Sequence, residues 1–103
     1  MVKFILNSNK EHLDINLIGD LDIDSTEVIE EELIPATGSY KTINLIFTEV
    51  PFVDSSGMGL LINLVKLLNE KEQELTISNV REEVMEVFEL LQLPEILGEK
   101  VFV

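Results

Sequence analysis

The chain has no cysteine among its 103 residues, a single histidine, and only seven lysines and arginines against 20 aspartates and glutamates. Without cysteine there is no disulfide, no thiolate chemistry and no Cys-ligated zinc. Nothing therefore requires an oxidising compartment, and a reducing cytoplasm is the expected location. Long apolar runs are missing too. The first, Phe4 to Leu6, stops at Asn7 and lacks the core of a secretory signal; Met58 to Leu68 is broken by Asn63 and Lys66 and is too short to span a bilayer. No membrane insertion is expected. The net charge of -13 repels nucleic-acid phosphates and anionic lipid. Either it serves solubility alone or it suits cationic partners.

Several chemistries lack a necessary part. A Ser-His-Asp triad needs a histidine base, and the only candidate, His12, sits in a polar stretch and is expected to face solvent. A nucleophile elbow needs glycine two residues before the serine, where Ser56 has Asp54 and Ser55 has Val53. Gly57-Met58-Gly59 is not followed by the lysine of a phosphate-binding loop. Asp20, Asp22, Asp24 and Glu31 fall at ligand positions of a calcium loop, but Ser25 stands where its sharp turn requires glycine. The expectation is a protein that is not an enzyme and has no cofactor or metal.

What the chain does have is regular alternation. Its length suits one α/β domain over residues 1–103, burying roughly two-thirds of the unfolded surface. Phe4 to Leu6 and Leu13 to Ile18 predict an antiparallel hairpin joined by the polar stretch Asn7 to Glu11, with Gly19 ending the second strand. Asp24 with Glu27, or Ser25 in its place, has the form of a helix cap. The short helix that follows turns Val28, Ile29 and Leu33 inward and Glu27, Glu30, Glu31 and Glu32 outward, and stops at Pro35 with Gly38 just beyond. Thr42 to Phe47 predicts a central strand buried on both faces. Glu74 to Ser78 predicts a further strand, and Asn79 with Glu82 a second capping box. The next helix has Val84, Val87, Phe88 and Leu91 inward and is closed by Pro94. The tail reads as a last strand with no helix after it. The order β-β-α-β-α-β-α-β implies a mixed β-sheet with helices packed on it.

Val50 to Leu61, V-P-F-V-D-S-S-G-M-G-L-L, breaks this pattern: an apolar run gives way to an acid, two hydroxyls and two glycines before a helix from about Ser56 to Asn69. The N–H groups of a helix start favour an anion or a phosphorylated hydroxyl. One of Ser55 and Ser56 can cap the helix, the commonest use of serine there, which leaves the other in need of a role. Gly57 and Gly59 allow either a partner's backbone or a neighbouring element of the same chain to come close. Apolar residues of the helix sweep an arc of about 220°, more than twice the stripe a surface helix needs. The surplus, Met58 and Ile62 foremost, is either a contact patch beside the serine or lies under another helix.

D-S-S-G-M-G-L-L after an apolar strand, with G-D-L-D at Gly19 to Asp22 some 35 residues upstream, resembles the STAS domain, most closely the anti-sigma factor antagonists of bacterial sporulation and stress regulation. The likeness covers nearly the whole chain, including the order of elements. It implies a regulator that binds an anti-sigma factor serine kinase and frees a sigma factor. It further implies phosphorylation by that ATP-binding partner on the second serine of the loop, here Ser56, and resetting by a separate serine phosphatase. Asp22, Asp54 and Ser55 are then neighbours of the phosphosite, and Gly57, Met58, Gly59 and Ile62 are expected to meet the partner. The family also includes scaffolds and transporter or stress-signalling subunits that are not phosphorylated, which is the alternative. Members usually continue into a further helix where this sequence stops at Val103.

Overall fold

Alternation of apolar and polar residues gives His12–Ile18 one dry face, and the same pattern recurs in Thr42–Glu49 and Glu74–Ser78. In the computed structural model, which describes residues 2–103 and so leaves Met1 of the expected domain outside, these runs are β2, β3 and β4. They follow β1 (Lys3–Asn9), which pairs antiparallel with β2 from Lys3 opposite Ile18 to Asn9 opposite His12. The hairpin turn is thus tighter than expected. Asn7, Ser8 and Asn9 belong to the strand, tolerated because β1 lies at the edge of the sheet with its polar side chains in water.

The strand order is β1-β2-β3-β4, with β2, β3 and β4 parallel. Right-handed crossovers between parallel strands laid down in sequence order put all their helices on one face. Burial follows that rule. Leu13, Ile15, Leu17, Ile43, Leu45, Phe47, Leu75 and Ile77 are buried, whereas Thr42, Asn44 and Ile46 on the other face of β3 are only half-buried. The expectation that this central strand is buried on both faces is therefore corrected. The second face carries a polar network instead, in which Asn44 Nδ2 donates to Thr76 Oγ1 at 2.8 Å and Ser78 Oγ donates to Asn44 Oδ1 at 2.9 Å.

The first helical segment, α1, runs over residues 23–37 and mixes a 3-10 turn, α turns and a π stretch at Ile29–Leu33. Its cap is Asp22, not Asp24 or Ser25: the Asp22 carboxylate accepts from the N–H of Asp24, and Ser25 Oγ reciprocates by accepting from the N–H of Asp22. Nor does it stop at Pro35. The helix widens just before the proline, with the N–H of Ile34 reaching Ile29 O, so that the missing N–H of Pro35 sits in a first-turn position of the next short stretch, Ile34–Thr37. Gly38, at φ 45°, ends it. Ile29 and Leu33 are buried and Val28 half-buried as expected, with the four glutamates outside.

α2 (Ser55–Glu70) crosses the sheet with Met58, Leu61, Leu64, Val65 and Leu68 buried. α3 (Glu82–Leu90) is capped by Arg81 without a side-chain bond, while Asn79 adopts a left-handed conformation, so the expected Asn79–Glu82 capping box does not form. Val84 and Phe88 are the buried residues of α3, with Met85 half-buried against the core, and Phe88 meets Phe47 edge-on at 6.3 Å between ring centres. Val87 and Leu91, expected inward, are exposed. Pro94 does not close α3 but sits in the first turn of a new helix, α4 (Leu93–Leu97), after a left-handed Gln92. The tail makes a 3-10 turn at Glu99–Val101 and a single bridge from Phe102 to Ile77 rather than a strand.

Candidate functional site

β2 and β3 end side by side, and the loops leaving them are laced together. The N–H of Gly19 donates to Glu49 O at 2.9 Å, that of Leu21 to Phe52 O at 2.9 Å, and that of Asp54 to Leu21 O at 3.2 Å. Leu21 and Val53 form an isolated parallel bridge. The G-D-L-D turn and the D-S-S-G loop, 35 residues apart in sequence, are thereby one structural unit. Asp22 lies directly beyond the Leu21 carbonyl that holds Asp54.

α2 begins in this unit. Its cap is Asp54, whose carboxylate accepts the N–H of Gly57 at 2.9 Å. Neither serine is used as the cap, so the expected division of labour between Ser55 and Ser56 is replaced by one in which both hydroxyls are spared. Ser55 is exposed and Ser56 half-buried in the first turn. Asp54 takes the Gly57 N–H with its carboxylate and the Met58 N–H with its carbonyl, which leaves the N–H groups of Ser55 and Ser56 without an acceptor in the helix.

Gly57 is buried, and a Cβ built on it would lie 2.1 Å from Leu21 O, 2.8 Å from Leu21 C and 3.0 Å from Val53 Cγ1. Of the two readings of this glycine, close packing within the chain is thus the one realised. At Gly59 a Cβ would meet nothing within 4 Å. Met58 is buried and Ile62 half-buried against the core, so most of the wide apolar arc of α2 is covered. Asp22 is turned toward its own helix: its carboxylate takes the Asp24 N–H at 3.1 Å and lies 3.5 Å from Ser25 Oγ, which donates to Asp20 O at 3.1 Å. Ser25 is wholly buried beneath the turn.

His12 lies at the start of β2. It is half-buried, not free in solvent, with Nδ1 2.6 Å from Thr42 Oγ1 and Nε2 2.7 Å from Asp14 Oδ1. The loop serines have no imidazole beside them. Among the described residues no group of three or more His, Cys, Asp or Glu side chains is arranged to hold a metal ion, and no helix is long and apolar enough to cross a membrane.

Next to the loop is a feature that the sequence reading missed. An apolar groove of about 440 Å³ runs between Pro51–Asp54, the start of α2 and the outer face of α3, with Phe52, Met58, Val84, Val87 and Leu91 in its walls and Ser55 and Glu83 at its edge. The available signal was the placing of Val87 and Leu91 three and seven residues after Val84, which marks an apolar face without saying what covers it.

The STAS domain family model matches residues 3–103. The chain belongs to the STAS domain family. The domain is 23% identical over 92 residues to an anti-sigma-B factor antagonist of Bacillus subtilis, a match covering 89% of this chain and 84% of that protein. Two solved structures of SpoIIAA are similar in fold and sequence. The anti-sigma factor antagonist in its unphosphorylated form has a TM-score of 0.67 at 28% identity, over 85% of this chain and 83% of that one. The Bacillus cell fate determinant in its phosphorylated form has a TM-score of 0.70 at 26% identity, over 98% of this chain and 89% of that one.

Proposed function

We propose that this STAS domain is an anti-sigma factor antagonist that captures an anti-sigma factor serine kinase and is released from it by phosphorylation at Ser56. The observation that carries the reading is the capping of α2 by Asp54. Because a carboxylate holds the helix start, the Ser56 hydroxyl is free to accept a phosphate without the helix losing its cap. The kinship with SpoIIAA, whose structure exists in phosphorylated and unphosphorylated forms, supports a covalent switch in this fold.

The physics of the switch is local. A phosphate adds about 1.5 to 2 negative charges at neutral pH. The unpartnered N–H groups of the first turn of α2 and the helix dipole accommodate that charge, so the fold is kept. The partner meets it instead. A like charge about 6 Å away at an effective dielectric near 20 costs roughly 3 kcal/mol before screening, and about 1.4 kcal/mol is tenfold in affinity. The domain itself then contributes no catalytic group; the kinase supplies the nucleotide and a phosphatase removes the phosphate.

The test is binding of candidate anti-sigma factor kinases to wild type, Ser56→Ala and Ser56→Asp. The reading expects Ser56→Ala to bind like wild type and Ser56→Asp to bind at least about tenfold more weakly. Equal binding by Ser56→Asp contradicts the charge switch.

A further inference from the structure

Among the described residues, the groove beside the loop is lined but not filled by side chains. Its apolar walls are exposed where a folded domain ordinarily hides such groups: Phe52 is 52% exposed, Val87 38% and Leu91 50%. Val87 and Leu91, four residues apart on successive turns, make a ridge along the outer side of α3, while Val84 and Phe88 anchor that helix to the sheet. Phe52 on the loop and the buried Val53 and Met58 complete the lining. A cluster of large apolar side chains on one concave surface, contiguous with a candidate regulatory loop, is the form of a recognition site.

The neighbouring backbone narrows the mode of recognition. A peptide added as a further strand needs a free sheet edge, and the edge of β4, the strand closest in sequence to α3, is occupied by the tail: Phe102 bridges to Ile77, and the N–H of Val103 donates to Ile77 O at 3.0 Å. The groove has helical walls, α3 on one side and the first turn of α2 on the other. An amphipathic helix with apolar residues three and four apart fits such walls. Its polar flanks are set by charge. Asp54 and Glu83 line the groove, and Glu82 and Glu86 are exposed on the same helix as Val87. A partner helix with lysine or arginine beside its apolar stripe is favoured, and an acidic one is repelled.

We infer that the groove between Phe52 and the Val87–Leu91 ridge of α3 is the docking site for an amphipathic, basic-flanked helix of the binding partner. This rests on the reading of the domain as a partner-binding regulator and adds a second point of contact. The groove supplies affinity through apolar burial, and the adjoining Ser56 supplies the switch. Ser55 lines the groove and Ser56 does not, so a phosphate on Ser56 stands beside the docked helix rather than inside the apolar slot.

The test needs no identified kinase. A display library of 16-residue peptides, with a fixed helical leucine stripe and randomised flanking positions, is selected on the wild-type domain alone, and the enriched peptides are then titrated against wild type, Val87→Glu and Leu91→Glu. Both side chains are in solvent contact, so circular dichroism is expected to show folded variants, and either one suffices if the other misfolds. The inference expects enrichment of lysine and arginine in the flanks, with selected peptides losing about tenfold or more in affinity on the variants. No enrichment, binding that both variants retain, or acidic flanks overturns it. Variant-sensitive peptide binding together with no kinase acting on Ser56 would keep the docking site and sink the phosphorylation switch. The reverse pair of results would sink the docking site alone.

Discussion

Replacing Gly57 with alanine tests how the two halves of the site are joined. Inside an α-helix this change removes backbone freedom from the unfolded chain and would ordinarily stabilise by about 1 kcal/mol. Here the added methyl group would stand 2.1 Å from the Leu21 carbonyl oxygen, about 1 Å short of any tolerable contact, and the obstacle is backbone that cannot rotate aside. Leu21 is fixed at both ends, its N–H on Phe52 O at 2.9 Å and its carbonyl accepting the Asp54 N–H at 3.2 Å. Relief requires the start of α2 to move off the turn. Overpacking of this kind costs about 1 to 3 kcal/mol, and loss of the Asp54–Leu21 hydrogen bond adds about 1 kcal/mol. After the helix-propensity gain the net is destabilisation by about 1 to 3 kcal/mol. In a domain of this size that lowers the melting temperature by about 5 to 20 °C. Thermal unfolding followed by circular dichroism reads the result. The sign is decisive: a Gly57→Ala variant as stable as wild type, or more stable, refutes the claim that the G-D-L-D turn and the helix start are packed backbone to backbone.

Further expectations follow from the same contacts. Asp54→Ala removes the carboxylate that holds the Gly57 N–H and is expected to cost about 1 kcal/mol, seen as a lower urea midpoint, with Asp54→Ser retaining most of it. Phe88→Ala empties a wholly buried site against Phe47 and is expected to cost about 3 to 5 kcal/mol in the same assay. On α1, the hydrogen bond and charge of Glu27, with Glu30 and Glu32 nearby, hold the Glu31 carboxyl above its ordinary value of 4.5. A raised carboxyl pKa means that the folded state holds the proton longer, so the penalty is absent below about pH 4.5 and grows as pH rises through the folded value. Glu31→Gln is therefore expected to match wild type at about pH 4 and to exceed it in urea midpoint at about pH 7. Parallel pH profiles would contradict this.

The strands were legible because period-two burial leaves a direct mark on sequence: Leu13, Ile15 and Leu17 sit where alternation puts them. The helices were legible in place but not in detail. In sequence Pro35 and Pro94 look like helix stops, yet each occupies the first turn of a continuing or new helix, where a missing N–H costs nothing. Three aspartates in D-L-D-I-D-S compete as caps, and only the fold selects Asp22, because Ser25 beneath it is buried and returns the bond. The period of α3 grouped Val87 and Leu91 with Val84 and Phe88, but a helix lying on a sheet buries a narrower stripe than the apolar face it carries. At the site, the D-S-S-G motif was readable as a presented loop. Its lacing to Leu21 depends on backbone hydrogen bonds between strand ends far apart in sequence, which no local pattern encodes, and only the family resemblance pointed to it.

The most direct test of the central claim is to incubate the wild-type domain and Ser56→Ala with candidate anti-sigma factor kinases and ATP, and to locate any phosphate by tandem mass spectrometry. The account predicts a single phosphate on Ser56 and none on Ser56→Ala. Phosphate on Ser55, equal labelling of the Ser56→Ala variant, or a kinase that binds tightly and never phosphorylates the loop would contradict it.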